Sequence, residues 1–225
     1  LILRKGVHMK KLLTSVFASL FIFSNAYSLD MSNVSVGISA STAVFAATGT
    51  ETKVKDQDSM TDTTKTSEYG AFQEDFASIF VELGNDVVSI GLDYVPEAIE
   101  TPTNINKQGT DGTETENKVS ADFEDLMTLY AKINVPLGGL YVKVGYSQVD
   151  VITKESMASG RGYGDTNTDG PMVGIGYEVS GDAGIAVRAE ITGYEFDDVS
   201  ANNGATTRKN TIEVSDMIGA RGTIS

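Results

Sequence analysis

Beyond about residue 33, apolar and polar residues alternate with a period of two over much of the chain. That spacing predicts strands with one greasy and one polar face, not helices. The clearest case runs from Met127 to Val149, reading MTLYAKINVPLGGLYVKVGYSQV. Met127, Leu129, Ala131, Ile133 and Val135 share one face, against Thr128, Tyr130, Lys132 and Asn134. After Pro136 to Gly139, Leu140, Val142, Val144 and Tyr146 oppose Tyr141, Lys143, Gly145 and Ser147. A tight Pro-Leu-Gly-Gly turn between two such runs predicts a β-hairpin whose apolar faces align.

The rest of the chain repeats this plan. Val34 to Ala46 places Val34, Val36, Ile38, Ala40, Thr42, Val44 and Ala46 opposite Ser35, Gly37, Ser39 and Ser41. Ala77, Ile79, Val81 and Leu83 mark a second strand, with Phe76 and Phe80 on the opposite parity. Val88, Ile90, Leu92 and Tyr94 mark a third. Val173, Ile175, Tyr177 and Val179 form the sixth, and Ile185, Val187, Ala189 and Ile191 the seventh. The eighth places Ile212, Val214, Ile218, Ala220 and Ile224 on one parity, with Asp216 among them. Long polar connections are expected at Thr50 to Glu68, Pro96 to Asp122, Asp150 to Gly170 and Asp197 to about Lys209. They alternate with short turns at Gly84 to Asp86, Pro136 to Gly139 and Ser180 to Gly184. An all-β, eight-stranded, antiparallel up-and-down transmembrane β-barrel has this asymmetry of long loops and short turns.

Alternation alone does not say whether the apolar parity faces lipid or fills a soluble, lipocalin-like barrel. Side-chain types favour lipid. Gly37, Gly91, Gly145, Gly174, Gly176 and Gly219 fall on the polar parity, where a crowded lumen would use them. Lys132, Lys143, Arg188 and Arg221 on that parity balance Glu82, Asp93, Glu178 and Glu190, as buried charges must. These eight residues are expected to form a lumen charge network. Tyr94, Tyr146 and Tyr177 on the apolar parity are expected to form an interfacial aromatic girdle. Asp216 fits the outward face only near an interface or beside a bulge.

Composition adds two limits. Met9 opens a secretory signal, with Lys10 and Lys11, an apolar run from Leu12 to Phe23, and Ala26-Tyr27-Ser28 at the expected cleavage site. The apolar run is shorter than the roughly 20 residues of a spanning helix. Residues 1–28 are therefore expected to be upstream residues plus a cleaved signal, and residues 29–225 one barrel domain. Without the leader's four basic residues, the formal charge falls from −14 to −18. Nucleic acid is not an expected partner of so acidic a chain. No cysteine is present and the one histidine, His8, lies in the leader, so thiolate and imidazole chemistry are not expected. Asp165-Thr-Asn167-Thr-Asp169-Gly170 matches the first half of a calcium loop, but Gly176 stands where its closing glutamate belongs. No metal or cofactor is expected.

The segments MVGIGYEV (Met172 to Val179) and IAVRAEITGYEF (Ile185 to Phe196) resemble the penultimate strands of the OmpA, OmpX and opacity-protein class of small outer-membrane barrels. The resemblance spans about Val34 to Ile224. It implies arginine and glutamate pointing into the lumen, a place in the Gram-negative outer membrane, contact with its lipid, and a monomer. The class's familiar enzymes resemble one another in using a histidine base, which the mature chain lacks, so an enzyme is not expected. The chain departs from the class in having no peptidoglycan-binding domain after the barrel and no terminal aromatic, which at residue 226 would fall on the parity of Ile224. The implied function is structural, or surface interaction through acidic extracellular loops toward an external ligand or partner, above a side-chain-filled lumen. A narrow porin for small solutes and a soluble secreted ligand-binding barrel are the alternatives.

Overall fold

The computed structural model describes residues 34–54, 63–108, 115–157, 162–181, 183–205 and 209–225. The expected leader and its cleavage site lie outside them. The described strands are β1 (Val34–Val54), β2 (Thr63–Gly84), β3 (Val88–Tyr94), β4 (Ile99–Glu100), β5 (Asn104–Gln108), β6 (Thr115–Asn134), β7 (Leu140–Met157), β8 (Thr166–Ser180), β9 (Ala186–Phe196), β10 (Val199–Asn202) and β11 (Thr211–Ile224). Hydrogen bonds link β1, β2, β3, β6, β7, β8, β9 and β11 in turn, and β1 pairs back with β11. Every pairing is antiparallel. The result is a closed eight-stranded barrel, as the alternation predicts. Closure leaves no free edge where the ring is complete, which a sheet in hydrocarbon requires.

The apolar parity faces outward. Val36 and Ile38 on β1 are 75% and 76% exposed, Val173 on β8 is 62% and Ile191 on β9 is 67%. Leu129, Val144, Ile175, Val187 and Ile218 continue this belt around the ring. A contiguous apolar girdle on every strand is too extensive for a water-facing surface. The barrel is built to stand in a bilayer.

Strands run further toward the loop side than the alternation suggests. The β1–β2 ladder is unbroken from Val34 opposite Leu83 to Val54 opposite Thr63, so much of the expected loop at Thr50 to Glu68 is strand. The expected loop at Pro96 to Asp122 contains β4, β5 and the start of β6, and that at Asp150 to Gly170 is shortened by β7 and β8. Within the expected loop after Asp197, β10 pairs with β11. These extensions leave the apolar belt and lose its alternation, but their threonines keep a β-branched preference for extended backbone. The run Thr166 to Gly170 pairs with Ser147 to Val151 as straight strand, so it does not curl as a calcium loop does.

Two bulges reset the side-chain parity. β6 carries an extra residue opposite β7 between Glu124 and Met127, and β11 carries one opposite Ala46 to Thr48 of β1. Asp125 and Asp216 occupy these points with φ of 54° and 53°. Aspartate tolerates the left-handed conformation better than most side chains. Asp216 thus marks a bulge. The expectation that Ile212 and Val214 share the outward face of Ile218, Ala220 and Ile224 is corrected accordingly: beyond Asp216 the parity inverts, and Val214 lines the interior.

At position 216 a β-branched side chain in the left-handed region should be strained by about 1–2 kcal/mol, whereas glycine should be accommodated. Asp216→Val is therefore expected to lower the urea midpoint of the detergent-folded barrel, and Asp216→Gly to leave it unchanged or raise it. Superimposable curves for the two variants would mean that this bulge is not held by the ladder.

Candidate functional site

Inside the barrel, the turn-side half and the loop-side half differ in kind. The turn-side half holds all eight charged residues picked out by parity, and the structure joins them into three groups.

Glu82 is the hub of the first. Its side chain is 2% exposed and accepts both terminal nitrogens of Arg188, at 2.8 and 2.7 Å. Lys132 Nζ lies 3.1 Å from Glu82 Oε2, and Tyr130 donates its hydroxyl to Oε1 at 2.8 Å. Glu178 shares both cations: Arg188 Nε donates to its Oε2 at 2.6 Å and Lys132 Nζ at 2.9 Å. A planar guanidinium fits this fork because its three nitrogens serve two carboxylates at once. In the second group Lys143 pairs with Glu190 at 2.7 Å, and Tyr141 donates to the same Glu190 oxygen at 2.9 Å. In the third, nearer the loop side, Arg221 donates to Asp93 at 2.9 Å, to Ser78 at 2.8 Å and to Ser41 at 2.9 Å.

Four cations meet four carboxylates, and aromatic faces cover what remains of the cations. Lys143 Nζ stands 4.2 Å from the Tyr130 ring centre, and the Arg188 and Arg221 guanidinium carbons stand 4.9 and 5.1 Å from Phe80 and Phe76. Such contacts favour a cation most where water is absent. A cavity of about 10 Å³, room for about one water molecule, lies between Arg188, Glu190, Lys143, Asp93 and Arg221.

Parity places Tyr130 and Tyr141 on the lumen face with the charges but does not show that they orient the glutamates. The signal for that lies across the strands, where Tyr130 faces Gly91 and Tyr141 faces Gly176. A Cβ at Gly91 would fall 2.4 Å from Tyr130 Cζ, and one at Gly176 2.3 Å from Tyr141 Cζ. Each ring therefore lies flat over a glycine and reaches a glutamate beyond it. The girdle residues face outward: Tyr146 and Tyr177 are each 50% exposed, Tyr146 donates to Asp169, and Tyr94 donates to Asp125.

The loop-side half is apolar. Phe45, Phe72 and Phe123 stack with centroids 5.5 to 6.4 Å apart, beside buried Ile99, Leu126 and Val149. They bound a cavity of about 840 Å³. Buried Met172 and Tyr194, with Tyr130, form a second cluster whose Tyr194 hydroxyl meets Arg221, and Phe196 packs against both clusters. The signal for this chamber is the lumen-side parity of Phe76 and Phe80, which continues up β2 to Phe72. Over the mouth, Tyr163 donates its amide to Glu155 of β7 and its hydroxyl to Glu51 of β1, each at 2.9 Å. Those strands stand on opposite sides of the ring. Burial, with the hydrogen bond and charge of Glu51, pushes the Tyr163 hydroxyl above the usual tyrosine range.

Closed ring, outward apolar belt and packed charged interior define a small transmembrane β-barrel. Neither a family model nor a curated protein matches the sequence. Among solved structures, the outer membrane protein OprG from Pseudomonas aeruginosa is similar at 10% identity, over 84% of this chain and 94% of that one, with a TM-score of 0.44. Neisserial surface protein A aligns at 11% identity over 82% and 97%, with a TM-score of 0.32. CarO2 of Acinetobacter baumannii aligns at 13% identity over 79% and 97%, with a TM-score of 0.30.

Removing the Arg188 side chain would strand Glu82 and Glu178. Losing one partner of a dry ion pair costs on the order of 3–5 kcal/mol, whereas in the pair of Lys154 with Asp122 the lysine stands in solvent, which screens the interaction. Arg188→Ala should accordingly lower the thermal midpoint of the detergent-folded barrel far more than Lys154→Ala. Equal small shifts would indicate that water reaches the network.

Proposed function

We propose that this chain is a monomeric, non-enzymatic barrel of the bacterial outer membrane that acts by presenting its acidic loop side to the exterior, with no open path through its lumen. The lipid-facing belt and the closed ring support the membrane placement, since only helices and closed barrels satisfy their backbone in hydrocarbon. One observation carries the sealed lumen: four cations, each ion-paired and buried, pack the turn-side interior, and the cavity between Arg188, Lys143 and Arg221 is only about 10 Å³. A hydrated ion needs a continuous water column, and an eight-stranded ring has no width to spare for one. The loops then carry the activity, as they do wherever a rigid scaffold holds variable connections.

Planar-bilayer recording tests this reading. The folded full chain is expected to give no steady conductance, while Arg188→Ala, which opens space beside Glu82, is expected to flicker. Steady unitary currents from the unmutated chain would instead establish a narrow porin. Protease added to intact cells should cut the β1–β2 and β7–β8 connections and leave the short turns whole. Cleavage confined to the turns would invert the proposed orientation.

A further inference from the structure

The loop-side chamber is unlike the rest of the interior. At about 840 Å³ it falls in the range of small-molecule sites, and its walls are mostly aromatic and aliphatic, with Glu68, Asn104 and three threonines among them. Neither Met172 nor Tyr194 is among its lining residues; with Tyr130 they form a separate buried cluster on its turn side. Folding ordinarily fills such space, since an apolar void forfeits contacts on every wall.

The chamber also has a side entrance. β2 pairs with β3 only from Ile79 to Gly84, while β4 and β5 pair with β6 alone. Among the described residues, the β2 edge from Thr63 to Ser78 therefore has no ladder partner on that side. The cavity lining includes Tyr69 to Phe72 from this edge and Thr101 to Ile105 from the facing segment, so it reaches the gap between them. A ligand can thus arrive without displacing the Tyr163 bridge.

Charge narrows the class. Among the described residues, Glu68 is the only charged residue in the lining, and Glu51 and Glu155 hold Tyr163 across the mouth. The lumen network is neutral, so the chain's negative excess lies outside it. An anionic headgroup entering here would meet carboxylates at close range with its solvation reduced, whereas a neutral or cationic one would not be opposed.

We propose that the loop-side chamber is a binding site for an apolar small molecule, aryl or aliphatic, that carries no negative charge. The stacked trio of Phe45, Phe72 and Phe123 supplies its wall, and Leu126, Val149 and Val214 complete the pocket.

The chain has no tryptophan, so a single introduced one reports locally. Phe123→Trp places it in the chamber, and Ile191→Trp places it on the lipid face as a control for partitioning. Three quenchers of one shape are titrated against the folded full chain in lipid nanodiscs: para-bromobenzyl alcohol, para-bromobenzylammonium and para-bromobenzoate. At position 123, quenching by the alcohol and the ammonium is expected to saturate, with the benzoate weaker by about tenfold or more. At position 191 it should rise without saturating. Adding Ala121→Phe to Phe123→Trp should fill the chamber and weaken the alcohol by about tenfold. Should that double variant fail to fold, the contrast between positions 123 and 191 decides the question. Non-saturating quenching alike at both positions would overturn the site, and equal affinity for all three probes would overturn its charge preference.

Discussion

An eight-stranded ring is the constraint from which the rest of this molecule follows. Its interior is just wide enough for side chains to fill, and there is no water column to solvate what points inward. Any charge placed there must find its opposite within hydrogen-bond reach, because an isolated buried ion would be neutralised or expelled. Arg188 meets this demand by engaging Glu82 and Glu178 together, Lys132 by lying between the same two carboxylates, and Lys143 by taking Glu190. Glycines on facing strands are part of the solution, since the tyrosine rings that hold the glutamates occupy the volume a Cβ would need.

Two interiors share one wall. Where the ring is complete on all eight strands, it is packed and polar. Where β3 has ended and β2 runs on paired with β1 alone, it becomes apolar and hollow. The two bulges at Asp125 and Asp216 make that change, turning Phe123 and Val214 inward at the level where lumen polarity ends. Without the extra residue on each strand, those apolar side chains would point outward and the chamber would lose two of its walls.

Much of this was legible in the chain. The ring, the outward belt and the identity of the eight lumen charges follow from period-two alternation, because lipid on one side and a crowded lumen on the other impose opposite demands on neighbouring residues. Three things were less legible, for physical reasons. Strand ends beyond the belt, such as Thr50 to Val54, face similar surroundings on both sides and show no alternation. Bulges invert parity without altering composition, so Val214 reads as outward until the hydrogen-bond register is known, although Asp216 on the wrong face was the clue. The chamber depends on residues far apart in the chain, and Phe45, Phe72, Phe123 and Phe196 share no local motif.

The separation in sequence between partners in the lumen has a consequence for assembly. Glu82 and Arg188 are 106 positions apart, Asp93 and Arg221 are 128, and the hydroxyls of Ser41 and Thr223 that meet beside the closing seam are 182. Contacts of such range form late, because the entropy of closing long loops must be met first. A half-built sheet entering hydrocarbon would therefore carry unmatched arginines and glutamates into a medium that strongly disfavours them. Charge pairing between early and late strands, β2 with β9 and β3 with β11, therefore favours an order of events in which the cylinder shuts before, or while, it sinks into lipid.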